Sequence, residues 1–142
     1  MKMLQTAQAF VDEMAKKNVK CRQCRDLENG DSLVSYAIKG KNNAQYEIFF
    51  IFQTKEPTVC MRVFKLITFP EDRTARIYDA MNELNRKFRW LKFFCDDDCN
   101  VHVQEDEPLS AETAGPFCVG MLVRAIGIIE KAYPDLMRAL WA

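Results

Sequence analysis

Four cysteines in two short spacings are the residues best suited to chemistry, Cys21-Arg22-Gln23-Cys24 and Cys95-Asp96-Asp97-Asp98-Cys99. Four thiols are the number a structural zinc ion takes. Neither pair carries the glycine-containing knuckle turn of a zinc ribbon, and the first falls within a predicted strand. Residues three apart on a strand point to opposite faces, so Cys21 and Cys24 cannot share a metal unless the strand breaks between them. Dithiol exchange needs its first cysteine at a helix N-terminus, where the thiol pKa is lowered. Cys21 instead follows a helix. Reduced cysteines packed as small hydrophobes account for all four. The reading from another functional class is a zinc- or thiol-dependent protein using Cys21, Cys24, Cys95 and Cys99.

The other polar motifs are tested the same way. Asp96-Asp97-Asp98 with Asn100 has the composition of a calcium loop, but an EF-hand alternates its ligands and places glycine sixth. Contiguous aspartates point in different directions and no glycine follows them, so the run reads as a solvated hairpin turn. A three-residue loop at 96–98 sets Cys95 opposite Cys99, within disulfide range. His102 is the only histidine and alternates with Val101 and Val103, which predicts an exposed ring with no serine or cysteine partner. No Ser-His-Asp arrangement follows. Gly115 and Gly120 have phosphate-loop spacing but lack the Lys-Ser/Thr and follow no strand. The expectation is a chain with no catalytic residue, no cofactor and no metal.

Composition bounds the partners. Lys plus Arg equal Asp plus Glu at 20 each, so no global field favours nucleic acid or an anionic membrane. Charge is uneven locally: residues 16–25 hold five basic side chains and no acidic one, and residues 95–112 hold seven acidic and no basic. Basic residues beside Phe88, Trp90 and Phe93 suit single-strand stacking, yet the core needs those aromatics and the acidic hairpin repels phosphate. No nucleic-acid partner is expected. No window approaches ~18 uninterrupted apolar residues, and the N-terminus has no apolar block of signal length. A cytoplasmic chain is expected, in which six cysteines stay reduced. At 142 residues, one domain over 1–142 is expected.

The elements that must position these groups read as follows. Residues 4–18 form an amphipathic helix, with Asn18 suited to a left-handed cap. Strands are predicted at about 19–27, 32–39, 44–53 and 58–66, separated by turn chemistry such as Glu28-Asn29-Gly30-Asp31 and Gly40-Lys41-Asn42-Asn43. Short links join antiparallel neighbours. Apolar residues on both faces of 44–53 mark a central strand, and Lys20, Arg22 and Arg25 mark the first as an edge. Thr68-Phe69-Pro70-Glu71 is a capping box, followed by the stripe Ile77, Met81, Leu84, Phe88. Residues 90–95 and 100–104 make a hairpin, and a last helix at about 115–132 is apolar nearly all round.

That order, α-β-β-β-β-α-β-β-α, is an α+β domain with an antiparallel sheet flanked by helices. Together with Leu84-Asn85, Trp90, Lys92, Phe93, Pro108-Leu109 and Tyr133-Pro134-Asp135-Leu136, it resembles the YbjN-like family of bacterial sensory transduction regulators, whose fold is similar to type III secretion chaperones. In topology the resemblance spans about residues 4–141, and its motifs lie in the second half. They are packing signatures with no catalytic residue to transfer. The resemblance implies a non-catalytic protein-interaction or regulatory module, since type III chaperones are small dimers that hold an extended partner segment. Those chaperones are commonly acidic, whereas this chain has a pI near 6.6, which leaves a general protein-binding module with an unknown protein partner. A homodimer is expected as well. Leu136, Met137, Leu140 and Trp141 extend the apolar last helix past a break at Tyr133-Pro134, and a two-fold pairing buries such a patch.

Overall fold

A computed structural model describes residues 3–42 and 44–142. The turn residue Asn43, named above, lies outside them. The elements are α1 (Gln5–Lys16), β1 (Gln23–Asp26), β2 (Ser32–Lys39), β3 (Gln45–Phe52), β4 (Thr58–Thr68), a 3-10 turn (Glu71–Arg73), α2 (Thr74–Lys87), β5 (Lys92–Cys95), β6 (Asn100–Pro108) and α3 (Ala114–Trp141). The fold is α+β. All six strands are antiparallel in one sheet of order β1-β2-β3-β4-β6-β5. β1 is an edge and β3 is interior, as the charge and apolar patterns require.

Strict alternation gives the sheet two unlike faces. Val34 and Tyr36 of β2, Ile48, Phe50 and Phe52 of β3, Val59, Met61 and Val63 of β4, and Val101 and Val103 of β6 are buried on one face. Phe10 of α1 packs there, 4.6 Å from Phe50 and 5.4 Å from Tyr36 between ring centroids. The solvent end of α1 is closed by Asn18 at φ 60, the left-handed cap its side chain tolerates. Gly30 at φ 93 makes the β1–β2 turn, a conformation few other residues adopt without strain.

Three boundaries differ from the sequence pattern. Thr68 does not cap α2. It lies in β4, and its hydroxyl donates to Asn100 Oδ1 at 2.7 Å, while the chain enters α2 through the 3-10 turn. β1 begins only at Gln23; Arg22 before it is a bend whose N–H still donates to the Ser35 carbonyl of β2 at 2.7 Å. The last helix does not stop at Pro134 but continues to Trp141. Proline there removes one helical hydrogen bond, and burial of Leu136 and Leu140 against the core outweighs that loss. Arg73 Nε also donates to the Leu140 carbonyl at 2.9 Å, which ties the helix end to the start of α2.

The Leu84-Asn85 signature has a physical basis. Leu84 is buried in the core, while the Asn85 amide turns to the free edge of β5. Its Nδ2 donates to the Phe93 carbonyl at 2.9 Å and its Oδ1 accepts from the Phe93 N–H at 2.8 Å. One side chain thus pairs with the strand as a neighbouring strand does, and it blunts an exposed edge. Asn85→Ala is expected to cost about 0.5–1.5 kcal/mol, the usual net worth of a hydrogen bond, read as a shift in denaturant midpoint. An unchanged midpoint contradicts the edge-pairing role.

Candidate interaction surface

The sheet face away from Phe10 carries Leu33 of β2, Phe49 and Ile51 of β3, Cys60, Arg62 and Phe64 of β4, Gln104 and His102 of β6, and Lys92 and Phe94 of β5. Strand register sets this membership, since Phe49 pairs with Arg62, Ile51 with Cys60, and Phe94 with His102. Phe49, Ile51, Cys60 and Phe94 remain half-buried and Phe64 is 50% exposed, so among the described residues no helix lies over this face. Four rings form a row across it. Phe49 and Phe64 centroids are 5.5 Å apart, Phe64 and His102 5.9 Å, and His102 and Phe94 5.4 Å.

A bulge aims this row. The β4–β6 register shifts between Val63 and Ile67, and Lys65 adopts φ 54. The Lys65 N–H, freed from the ladder, donates to His102 Nδ1 at 3.0 Å. His102 Nε2 then donates to Asp96 Oδ2 at 2.7 Å. Both ring nitrogens are thus engaged, and the ring is buried. This corrects the expectation of an exposed histidine: β6 alternates as predicted, but Phe64 and Phe94 cover the ring from either side.

The hairpin is also one residue out of the predicted register. Cys95 pairs with Val101 rather than Cys99. The loop is residues 97–99, closed by the Asp96 N–H donating to the Asn100 carbonyl at 3.1 Å, with Cys99 at φ 62. A left-handed residue at the third loop position is what such hairpins use. Of the three aspartates, Asp97 and Asp98 are exposed, and Asp96 is a structural acceptor. Its Oδ1 accepts the N–H groups of Asp98 and Asn100 at 2.9 and 3.0 Å. The His102 hydrogen bond, aided by these donors, holds the Asp96 carboxyl well below the usual carboxylate range. A carboxyl lowered in the folded state contributes stability above its unfolded pKa of about 4, and that stability fades as pH falls further. Asp96→Asn should therefore lose less stability than the wild type as pH drops from about 5 to 2. Identical acid profiles in thermal melts would contradict the assignment.

Polar groups rim the apolar row. Glu47 accepts from Gln23 at 2.9 Å, lies 3.6 Å from Arg22 Nε, and is bonded by the Ser35 hydroxyl. Arg62 pairs with Asp106 at 2.5 Å. On the opposite face, Arg124 of α3 pairs with buried Glu105 at 2.5 Å and stacks on Trp90 at 4.4 Å. That contact accounts for the Trp90 signature as packing.

The thiols do not assemble as one centre. Cys24 lies in β1 and Cys95 in β5, the two opposite edges of the sheet, so four cysteines cannot share one zinc. Among the described residues no group of three His, Cys, Asp or Glu side chains is placed to hold a metal. Cys95 and Cys99 line a small hollow beside Tyr78 and Thr74 of α2. Cys21 lies before β1 and Cys24 within it, so strand alternation does not fix the two on opposite faces. Of the tail residues, Leu136 and Leu140 turn into the core, which corrects their placement on an outer surface. Met137 is half-buried and Trp141 is 73% exposed, beside a groove of ≈ 620 Å³ shared with Tyr133, Pro134 and Arg138. The sequence pattern missed the Phe49–Phe64–His102–Phe94 row; the signal was present in β-strand alternation, but the bulge at Lys65 is needed to align it.

A family model described as "Putative bacterial sensory transduction regulator", YbjN, matches residues 28–125. The chain belongs to the YbjN family. The matched span runs from the β1–β2 turn into α3 and holds Leu84, Asn85, Trp90 and Phe93, while Tyr133-Pro134-Asp135-Leu136 falls beyond it. No curated protein and no solved structure matches the chain. Among the described residues no helix is long and apolar enough to cross a membrane.

Proposed function

We propose that this YbjN-family chain is a non-catalytic protein-interaction and regulatory module that docks a protein partner on the uncovered face of its sheet. The observation that carries this reading is the aromatic row of Phe49, Phe64 and Phe94 around a structurally engaged His102, on a face that no helix among the described residues covers. An apolar centre inside a polar rim is the anatomy of a protein interface. The row is ordered before binding, so a partner need not bear the entropy of arranging it. Asn85 closes the β5 edge and β1 is short and charged, which favours docking through side chains over strand addition. The resemblance to type III secretion chaperones, which hold extended partner segments, is in keeping with this. Affinity capture from a bacterial host tests it. A protein retained by the wild type and lost with Phe64→Ser supports the reading, and equal retention by both chains counts against it.

The module works as a homodimer through the outer side of α3 in this reading. Val123 is 65% exposed, Phe117 and Trp141 are exposed with it, and Gly120 and Gly127 leave open space above the helix. Positions 117, 120, 123 and 127 recur at spacings of three and four along one face, and the same face on a second copy is self-complementary. The six unpaired thiols fit a reducing, cytoplasmic setting. Light scattering after size exclusion should give twice 16.5 kDa at tens of micromolar. A mass of 16.5 kDa at that concentration overturns the dimer.

A further inference from the structure

The charges around the uncovered sheet face are uneven, both in sign and in how far they are engaged. Its carboxylates are Glu47 and Asp106, with Asp96 beside the His102 ring, and each is satisfied within the chain. Glu47 is bonded by Gln23 and Ser35 and lies 3.6 Å from Arg22 Nε. Asp106 pairs with Arg62, and Asp96 holds His102 and the hairpin turn. The lysines are engaged less fully. Lys92 pairs in register with Gln104, next to the Phe94–His102 pair, and Lys39 pairs with Gln45 at the end of β2. Lys65 occupies the bulge beside Phe64. All three lysines are exposed, and among the described residues none of them has an ion pair. Of the exposed hairpin carboxylates, Asp97 lines the hollow beside Tyr78 of α2, and Asp98 stands in the loop.

We infer that the occupant of this face is an acidic protein segment, in which one or two apolar side chains are flanked by aspartate or glutamate. The inference rests on the docking reading proposed above and adds the partner's chemistry to it. The apolar side chains seat on the row of Phe49, Phe64 and Phe94, and the carboxylates face Lys39, Lys65 and Lys92. Ammonium groups without an internal partner attract those carboxylates, and the acidic groups of the face are already neutralised. A basic segment would meet like charge instead, which selects against it. The rings decide between protein and nucleic acid, since a basic rim suits both. Successive rings are inclined by 56°, 74° and 45°. They present edges and clefts that receive aliphatic or aromatic side chains, whereas single strands are held by bases stacked on flat ring faces. Exposed charge pairs are screened by salt, so the lysines act on partner selection and encounter more than on the core of the contact.

The test pans a phage-displayed library of random peptides against the immobilised full chain. Enriched peptides should carry Asp or Glu on either side of Phe, Trp, Leu or Ile. A synthetic peptide of the enriched sequence should bind more weakly as salt rises and should lose its binding to Phe64→Ser. The double variant Lys65→Glu/Lys92→Glu should bind it at least about 5-fold more weakly than the wild type. Lys17→Glu/Lys131→Glu makes the same change in net charge at exposed positions on α1 and α3, and should bind as the wild type does. All of these substitutions fall on exposed side chains, and a cooperative melt of each variant shows that it is folded before binding is read. Neutral or basic peptides that depend on Phe64 would overturn the acidic partner and leave the docking face standing. Acidic peptides bound equally by Phe64→Ser would overturn the docking face itself. Equal weakening in both lysine pairs would reduce the effect to net charge, and displacement of the peptide by single-stranded oligothymidylate would make this a phosphate surface. Either result overturns the inference, as does a library that yields no enriched peptide.

Discussion

Phe10→Ala is expected to destabilise the chain by about 3–5 kcal/mol, the cost of emptying a buried aromatic site. Phe10 of α1 packs against Tyr36, Phe50 and Phe52 together, so its loss leaves a cavity between helix and sheet. Phe64→Ala offers the contrast. Half exposed on the other face and touching Phe49 and His102, it should shift stability by about 1 kcal/mol. Denaturant melts of the two variants measure the difference between the faces. A comparable loss from both would mean that the outer row is part of the core and is not available to a partner.

Leu84→Ala should cost about 2–5 kcal/mol. The stripe Ile77, Met81, Leu84 is buried between α2 and its neighbours, and Leu84 sits one residue before the amide that closes β5. Glu83 is exposed and pairs with equally exposed Arg86 at 2.8 Å, so Glu83→Ala should change stability by about 0.5 kcal/mol or less. Unequal melts of this pair confirm the helix face, and equal ones reverse it.

Element type and order were legible because periodicity is local. Alternation in β3 and the 4-3-4 stripe of α2 need no distant information. The misreadings occur where a long-range contact overrides a local rule. Thr68 has the spacing of a cap, but Asn100 in β6 takes its hydroxyl. Pro134 reads as a stop, but the core on the far side takes Leu136 and Leu140. His102 reads as exposed until the bulge at Lys65 sets Phe64 beside it. Cys21 and Cys24 read as members of one strand, but β1 begins only at Gln23. The interaction surface was the least legible feature, since it depends on which face the helices leave uncovered, and no single strand records that.

Site-specific photocrosslinking in living cells tests the docking face most directly. A photoreactive phenylalanine analogue at position 64 places the probe on the aromatic row, and the same analogue at exposed Gln8 of α1 serves as the control. A docking face on the sheet gives a discrete adduct with one other protein from position 64 and none from position 8. No adduct from position 64, or the same adducts from both positions, would contradict a docking surface on the sheet.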